Sequence, residues 1–248
     1  MLTMAWFGLA LLCGLLSLVA VLYASVGQAG ASGFVAVMAL FGFSPEVVKP
    51  TALVLNVLVS SVVALRFARD VHFSWPVLRP FLIASIPAAG LGGYLTLPAV
   101  VFNPVLGALL LVASVPFFVR RASTSIPTRL PPVIPALVAG ATIGLLSGLT
   151  GTGGGILLAP LLLHCRWASL PTTVAVSGVF IFVNSALALA GHLVLVARLP
   201  PDLPWLAVAV VLGGALGAQL GSRHLPLSAV HRILGLTIGM AGLKLLVA

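Results

Sequence analysis

The chain has 248 residues, of which 61% are hydrophobic and only 6% charged, with a mean hydropathy of +1.27. No soluble core of this length needs such an excess, so the composition excludes a water-soluble globular protein and places nearly all of the chain in a bilayer. Twelve Lys and Arg against three Asp and Glu give a formal charge of +9, yet the cations fall singly or in pairs between apolar segments, so they read as topology determinants and no nucleic-acid partner is expected.

Residues 1–45 carry no charged side chain, so the positive n-region of a secretory signal is missing and the first apolar run reads as mature transmembrane structure. That run covers about 3–26; a glycine-rich stretch, 27–33, and a short apolar segment, 34–43, follow it. Further segments fall near 47–65, 76–97 and 101–119. Residues 120–132 form the only long polar connector and separate an N-terminal membrane repeat, 1–119, from a C-terminal one, 133–248. The second half keeps the order, with 133–147, glycine-rich 148–155, a short 156–163, then 169–196, 203–222 and 226–247. The expected fold is an all-α integral membrane protein of about eight membrane helical segments, with a glycine-rich broken or re-entrant helix opening each half.

A shift of 121 residues superposes Gly27 on Gly148, Gly30 on Gly151, Gly33 on Gly154, Pro50 on Pro171, Thr51 on Thr172, Asn56 on Ser177, and Gly92-Gly93 on Gly213-Gly214. Glycines and prolines at special backbone positions keep register, which indicates an internal duplication. If the chain turns back at each break the repeats are inverted; if it passes straight through they are parallel. Turning back puts nine cations (Arg66, Arg69, Arg79, Arg120, Arg121, Arg129, Arg166, Arg223, Arg232) on one side and three (Lys49, Arg198, Lys244) on the other, against eight to four for straight passage. The larger asymmetry favours inverted repeats, with the arginine-rich connector on the cytoplasmic side.

Five glycines in the eight residues 148–155 would each be about 1 kcal/mol worse than alanine inside a helix. Irregular backbone at membrane depth is tolerated only where it is buried in protein or lines a wet cavity, so paired breaks point to a transporter's binding site. The short helices after them, starting near Gly33 and Gly154, would turn amide N–H groups and positive dipole ends towards the breaks, which suits a small anion. The candidate ligands are Gly27, Gln28, Gly30, Ser32 and Gly33 in the first break and Gly148, Thr150, Gly151, Thr152, Gly153 and Gly154 in the second. Thr51 and Asn56 on one following helix, and Thr172 and Ser177 on the other, would complete the shell. Glycines spaced by four outside the breaks, such as Gly140 and Gly144, read instead as helix-packing positions.

Glu46, Asp70 and Asp202 all fall at segment ends, which argues against a cation pathway or a carboxylate proton relay. Cys13 and Cys165 lack any metal or disulfide spacing, and the histidines show no ligand pattern, so neither metal nor cofactor is expected. No catalytic triad can be placed and no lysine follows the glycines as in a nucleotide loop, so the chain does not read as an enzyme. A channel using the breaks as a filter and a non-transporting scaffold remain the alternatives.

The stretch Ser147-Gly148-Leu149-Thr150-Gly151-Thr152-Gly153-Gly154-Gly155 leading to Pro160, then Pro171-Thr172-Thr173 and Ser177, resembles the repeated motif of the TauE/SafE sulfite-exporter-like permeases. Gly27 to Gly33, followed by Lys49-Pro50-Thr51 and Asn56, is similar to that family's N-terminal repeat. The resemblance covers the whole chain, although the first copy carries Ala29, Ser32 and Phe34 where the second has Thr150, Gly153 and Gly155. It implies a secondary transporter of small anions (sulfite, sulfonates, sulfate or small carboxylates) in a bacterial inner membrane. The glycine-spaced helix faces also allow a homodimer.

Overall fold

The computed structural model describes residues 6–67, 72–95, 98, 100–101, 104–105, 107–108, 111–112, 114–115, 129–193, 199–220, 239, 243 and 246. Within them the chain forms eight helices: α1 (Trp6–Ala24), α2 (Ala31–Leu40), α3 (Pro45–Phe67), α4 (Trp75–Tyr94), α5 (Val133–Thr150), α6 (Gly155–His164), α7 (Leu170–Leu193) and α8 (Leu203–Leu220). Six are long and apolar enough to cross a membrane, and α2 and α6 are the two short ones. Most of the segments expected at 101–119 and 226–247, and most of the 120–132 connector, lie outside the described residues. Large apolar side chains such as Phe7, Leu18, Ile83, Ile134 and Trp205 are exposed on the outer faces, as lipid-facing residues are.

Both breaks are shorter than the glycine pattern suggests. Gly30 in left-handed backbone immediately precedes α2, so Ser32 and Gly33 are helical; α5 extends through Thr150, so Gly148 and Thr150 are helical too. Glycines repeat every three residues in both stretches (27, 30, 33 and 148, 151, 154), so shifts of 121 and 124 both superpose glycine on glycine. Backbone conformation separates them: Gly27 (φ 74°) corresponds to Gly151 (φ 76°), and Gly30 (φ 103°) to Gly154 (φ 74°), an offset of 151 − 27 = 124. Gly33 and Gly148 serve close packing instead, Gly33 against Val19 and Tyr23 and Gly148 against Ala89 and Gly93.

At each break the chain turns back. A β-carbon on Gly30 would lie 3.4 Å from Tyr23 Cβ, and Gly33 packs on Val19 one turn lower, so α2 runs back along α1. Gly154 likewise packs on Ser147 Cβ at 3.3 Å and on Ile143. The strongest sign is at the far end of α6, where Arg129 N–H, just ahead of α5, donates to Arg166 C=O, just beyond α6, at 2.9 Å. An 18-residue helix is about 27 Å long. A chain passing straight on through the break could not bring those two backbones together.

Helix packing then exchanges the halves. Gly140, Gly144 and Gly148 on α5 pack on the backbone of Phe81, Ser85 and Ala89 on α4, while Gly213 and Gly217 on α8 pack on Ser17 and Val21 of α1. Gly92 of α4 meets α5 and Gly93 meets Ala188 of α7; Gly213 meets α1 and Gly214 meets Val59 of α3. These two glycine pairs, 121 residues apart, thus make reciprocal contacts. A side chain at any of these glycines would wedge the helices apart, since dense contact between backbones is what holds helices together in lipid.

Candidate functional site

Asn56, the twelfth of the 23 residues of α3, joins the two breaks. Its Oδ1 accepts from Ala31 N–H, the first amide of α2, at 3.1 Å, and its Nδ2 donates to Ser185 Oγ on α7 at 2.6 Å. That amide group also lies where a β-carbon on Gly153 would be, so the second break presses on the same side chain. Gln28, from the first break, donates to the Gly155 carbonyl at the start of α6 at 3.3 Å. Gln28 and Asn56 therefore tie the breaks to one another, and both are buried.

Each break also rests on the long helix of the other half. Gly27 packs on Val174 of α7, with 2.9 Å between its β-position and the Val174 carbonyl; Gly151 packs on Lys49 of α3, 3.2 Å from the Lys49 carbonyl. Left-handed backbone at Gly27 and Gly151 allows these approaches, because a side chain there would be both strained and obstructed.

A hydroxyl inside a membrane helix ordinarily donates to the carbonyl three or four residues before it. Ser60, Ser61, Thr142 and Thr150 do so, to Val57, Leu58, Val138 and Leu146. Thr51, Ser147, Thr173 and Ser177 do not: their hydroxyls are buried without a protein hydrogen-bond partner, and so is Asn184 Oδ1. Leaving such a group unpaired costs about 1–3 kcal/mol. All five sit beside the breaks or on the helices facing them. Thr173 flanks Val174 under the first break with Ser177 one turn on, Thr51 follows Lys49 under the second, and Ser147 touches Gly154.

Of the residues picked from sequence, Gly27, Gln28, Gly30, Thr51, Asn56, Gly151, Thr152, Gly153, Gly154 and Ser177 are gathered at or against the breaks and are buried. Ser32 is committed to Tyr23, with its Oγ 2.9 Å from the phenol oxygen, and Thr150 bonds Thr152 at 2.9 Å. Gly33 and Gly148 pack helices. Thr172 stands apart, partly exposed and paired with Ser169 at 2.9 Å; its neighbour Thr173 turns inward instead. Sequence reasoning missed Thr173, Ser147 and Lys49 as site residues, whereas Asn184 and Ser185 are legible as polar groups near membrane depth on the helix that carries Ser177. Lys49 stood out as a cation just inside an apolar segment and as part of the Lys49-Pro50-Thr51 stretch, and topology accounted for its charge.

Buried hydroxyls without a protein partner thus gather at two reciprocal breaks of a multi-pass helical membrane protein. The family profile described as "Sulfite exporter TauE/SafE" matches residues 10–245. The chain therefore belongs to the TauE/SafE family of membrane transporters. It is 44% identical over 232 residues, 92% of this chain and 94% of the relative, to a Sinorhizobium fredii protein named "Probable membrane transporter protein y4hK". No solved structure matches the chain.

Proposed function

We propose that the protein is a secondary transporter, a permease or exporter, that moves a small anion such as sulfite, a sulfonate, sulfate or a small carboxylate by alternating access. The observation that carries this reading is the set of buried, unpartnered hydroxyls of Thr51, Ser147, Thr173 and Ser177 around two glycine breaks that Asn56 holds together. A scaffold would gain nothing from hydroxyls left unpaired where a back-bond is available, whereas an oxyanion accepts from them. No Asp or Glu is buried among the described residues, so the surroundings do not repel negative charge.

The two halves act as inverted repeats in this reading. Turning back at each break, the left-handed glycines 124 residues apart and the exchanged packing of Gly92-Gly93 and Gly213-Gly214 support it. So does the company of Arg79, Arg129 and Arg166: Arg79 stacks on Trp75 at the start of α4, Phe81 packs on Trp167, and Arg129 bonds Arg166. That end faces the cytoplasm of a bacterial inner membrane by the positive-inside rule. The test is exchange of labelled sulfite or sulfate by the purified chain in proteoliposomes. Saturable exchange supports a carrier; flux that rises linearly with concentration indicates a channel, and no flux a scaffold.

A further inference from the structure

Lys49 is in the second turn of α3 and only 5% exposed. Among the described residues it is the one buried Lys or Arg, and no buried carboxylate accompanies it. Its ammonium donates to three carbonyls where α4 ends, Gly92 and Gly93 at 3.2 Å and Leu95 at 2.9 Å. Those acceptors satisfy its hydrogen bonds but are neutral, and the negative end of a helix dipole amounts to about half a charge, so net positive charge is left inside the protein. Capping a helix end requires donors only; a full charge buried among neutral groups is expensive and points to a use beyond the cap.

The position of this charge gives it a role. Lys49 Cγ and its carbonyl face Gly151, at 3.4 and 3.2 Å from the β-position, and the α4 end it holds packs on Leu145, Gly148 and Leu149 in the last turns of α5. The ammonium is thus anchored beside the helix end that leads into the second break. In the reciprocal contact the first break meets Val174, which is uncharged.

We propose that Lys49 is the counter-charge of the binding site, the residue that restricts its cargo to anions and sets its preference between one and two negative charges. This rests on the anion-transport reading above. Because the ammonium is held by three carbonyls, it acts from a fixed place as a preorganised positive field, and it makes the second break the more strongly anion-binding of the two.

The test compares wild type, Lys49→Arg and Lys49→Gln in proteoliposomes, using labelled sulfate as the dianion and labelled methanesulfonate as the monoanion. Glutamine keeps two donors for the α4 carbonyls while removing the charge. Lys49→Gln should raise the half-saturation concentration for sulfate about tenfold or more, and that for methanesulfonate several-fold less, whereas Lys49→Arg should retain the wild-type preference. A purely structural clamp would lower the melting temperature and the amount of active protein but leave both half-saturation values and their ratio unchanged. That result overturns the proposal. Should Lys49→Gln not fold, Lys49→Met, neutral and of similar length, takes its place with the same readout: a half-saturation raised more for sulfate than for methanesulfonate supports the counter-charge, and an unchanged ratio overturns it. Wild type exchanging neither anion would contradict the transport reading itself, which keeps the two failures apart.

Discussion

Asn56 donates its side-chain amide to Ser185 Oγ at 2.6 Å and so fixes the middle of α3 to α7 at the point where both breaks arrive. The bond makes Asn56 a structural tie between the breaks, and mutation separates that role from the contact with the anion proposed for it. Asn56→Ala strands the Ala31 amide in a buried position and should lower stability by about 1–3 kcal/mol, read as thermal unfolding in detergent. Asn56→Asp preserves the shape and an acceptor for Ala31, but adds negative charge between the breaks. It should fold, and it should exchange sulfate far more slowly than wild type; wild-type exchange would remove Asn56 from the anion's surroundings.

The second break tolerates no side chain at Gly153. Left-handed backbone there is about 1–2 kcal/mol unfavourable for alanine, and a β-carbon would also run into the Asn56 amide and approach Ser185 Oγ to 2.9 Å. Gly153→Ala should therefore unfold at a clearly lower temperature than wild type. Gly14→Ala is the control, since nothing lies within 4 Å of a β-carbon at that helical position and the change should be neutral or slightly stabilising. Equal melting temperatures for the two variants would contradict the geometry of the break.

Much of this was legible in the sequence, and what was not has a physical cause. Two interrupted helices, the order of the described segments and the position of Asn56 beside the breaks follow from glycines and polar residues in an apolar background. The glycines themselves were ambiguous, because Gly33 and Gly148 pack helices while Gly27, Gly30, Gly151 and Gly154 adopt positive φ, and composition cannot distinguish the two uses. Thr172 and Thr173 are adjacent and identical, and only the rotation of α7 decides that Thr173 points inward. Lys49 was hidden by a general rule about cations in loops, although its partners are the carbonyls that end α4.

The unpartnered hydroxyls give a prediction in which stability and activity move independently. Ser177→Ala and Thr173→Val each remove a buried group that has no protein partner, so melting temperature should stay level or rise, by up to about 1 kcal/mol of stability. Half-saturation for sulfate should rise in both variants. Thr172→Val, altering a hydroxyl engaged with Ser169, should leave sulfate exchange unchanged. Loss of stability without change in half-saturation for Ser177→Ala would show that hydroxyl to be structural.

The turn at the second break is open to labelling. In a chain with Cys13 and Cys165 replaced, single cysteines at positions 129 and 166 should react with a membrane-impermeant maleimide from the same side, because the two backbones are hydrogen-bonded at 2.9 Å. That side should be the cytoplasm, with a cysteine at 199, beyond the far end of α7, labelled from the opposite side. Labelling of 129 and 166 from opposite sides would require the chain to pass straight through at Gly151–Gly154.

The central claim is that the paired breaks bind and carry a small anion, and the most direct measurement is counterflow of labelled sulfite into proteoliposomes preloaded with unlabelled sulfite, for wild type against Ser177→Ala. The account predicts saturable counterflow in wild type and a raised half-saturation in a variant that melts no lower. Absence of counterflow in wild type, with unlabelled sulfate and methanesulfonate equally without effect as preloaded partners, would contradict it.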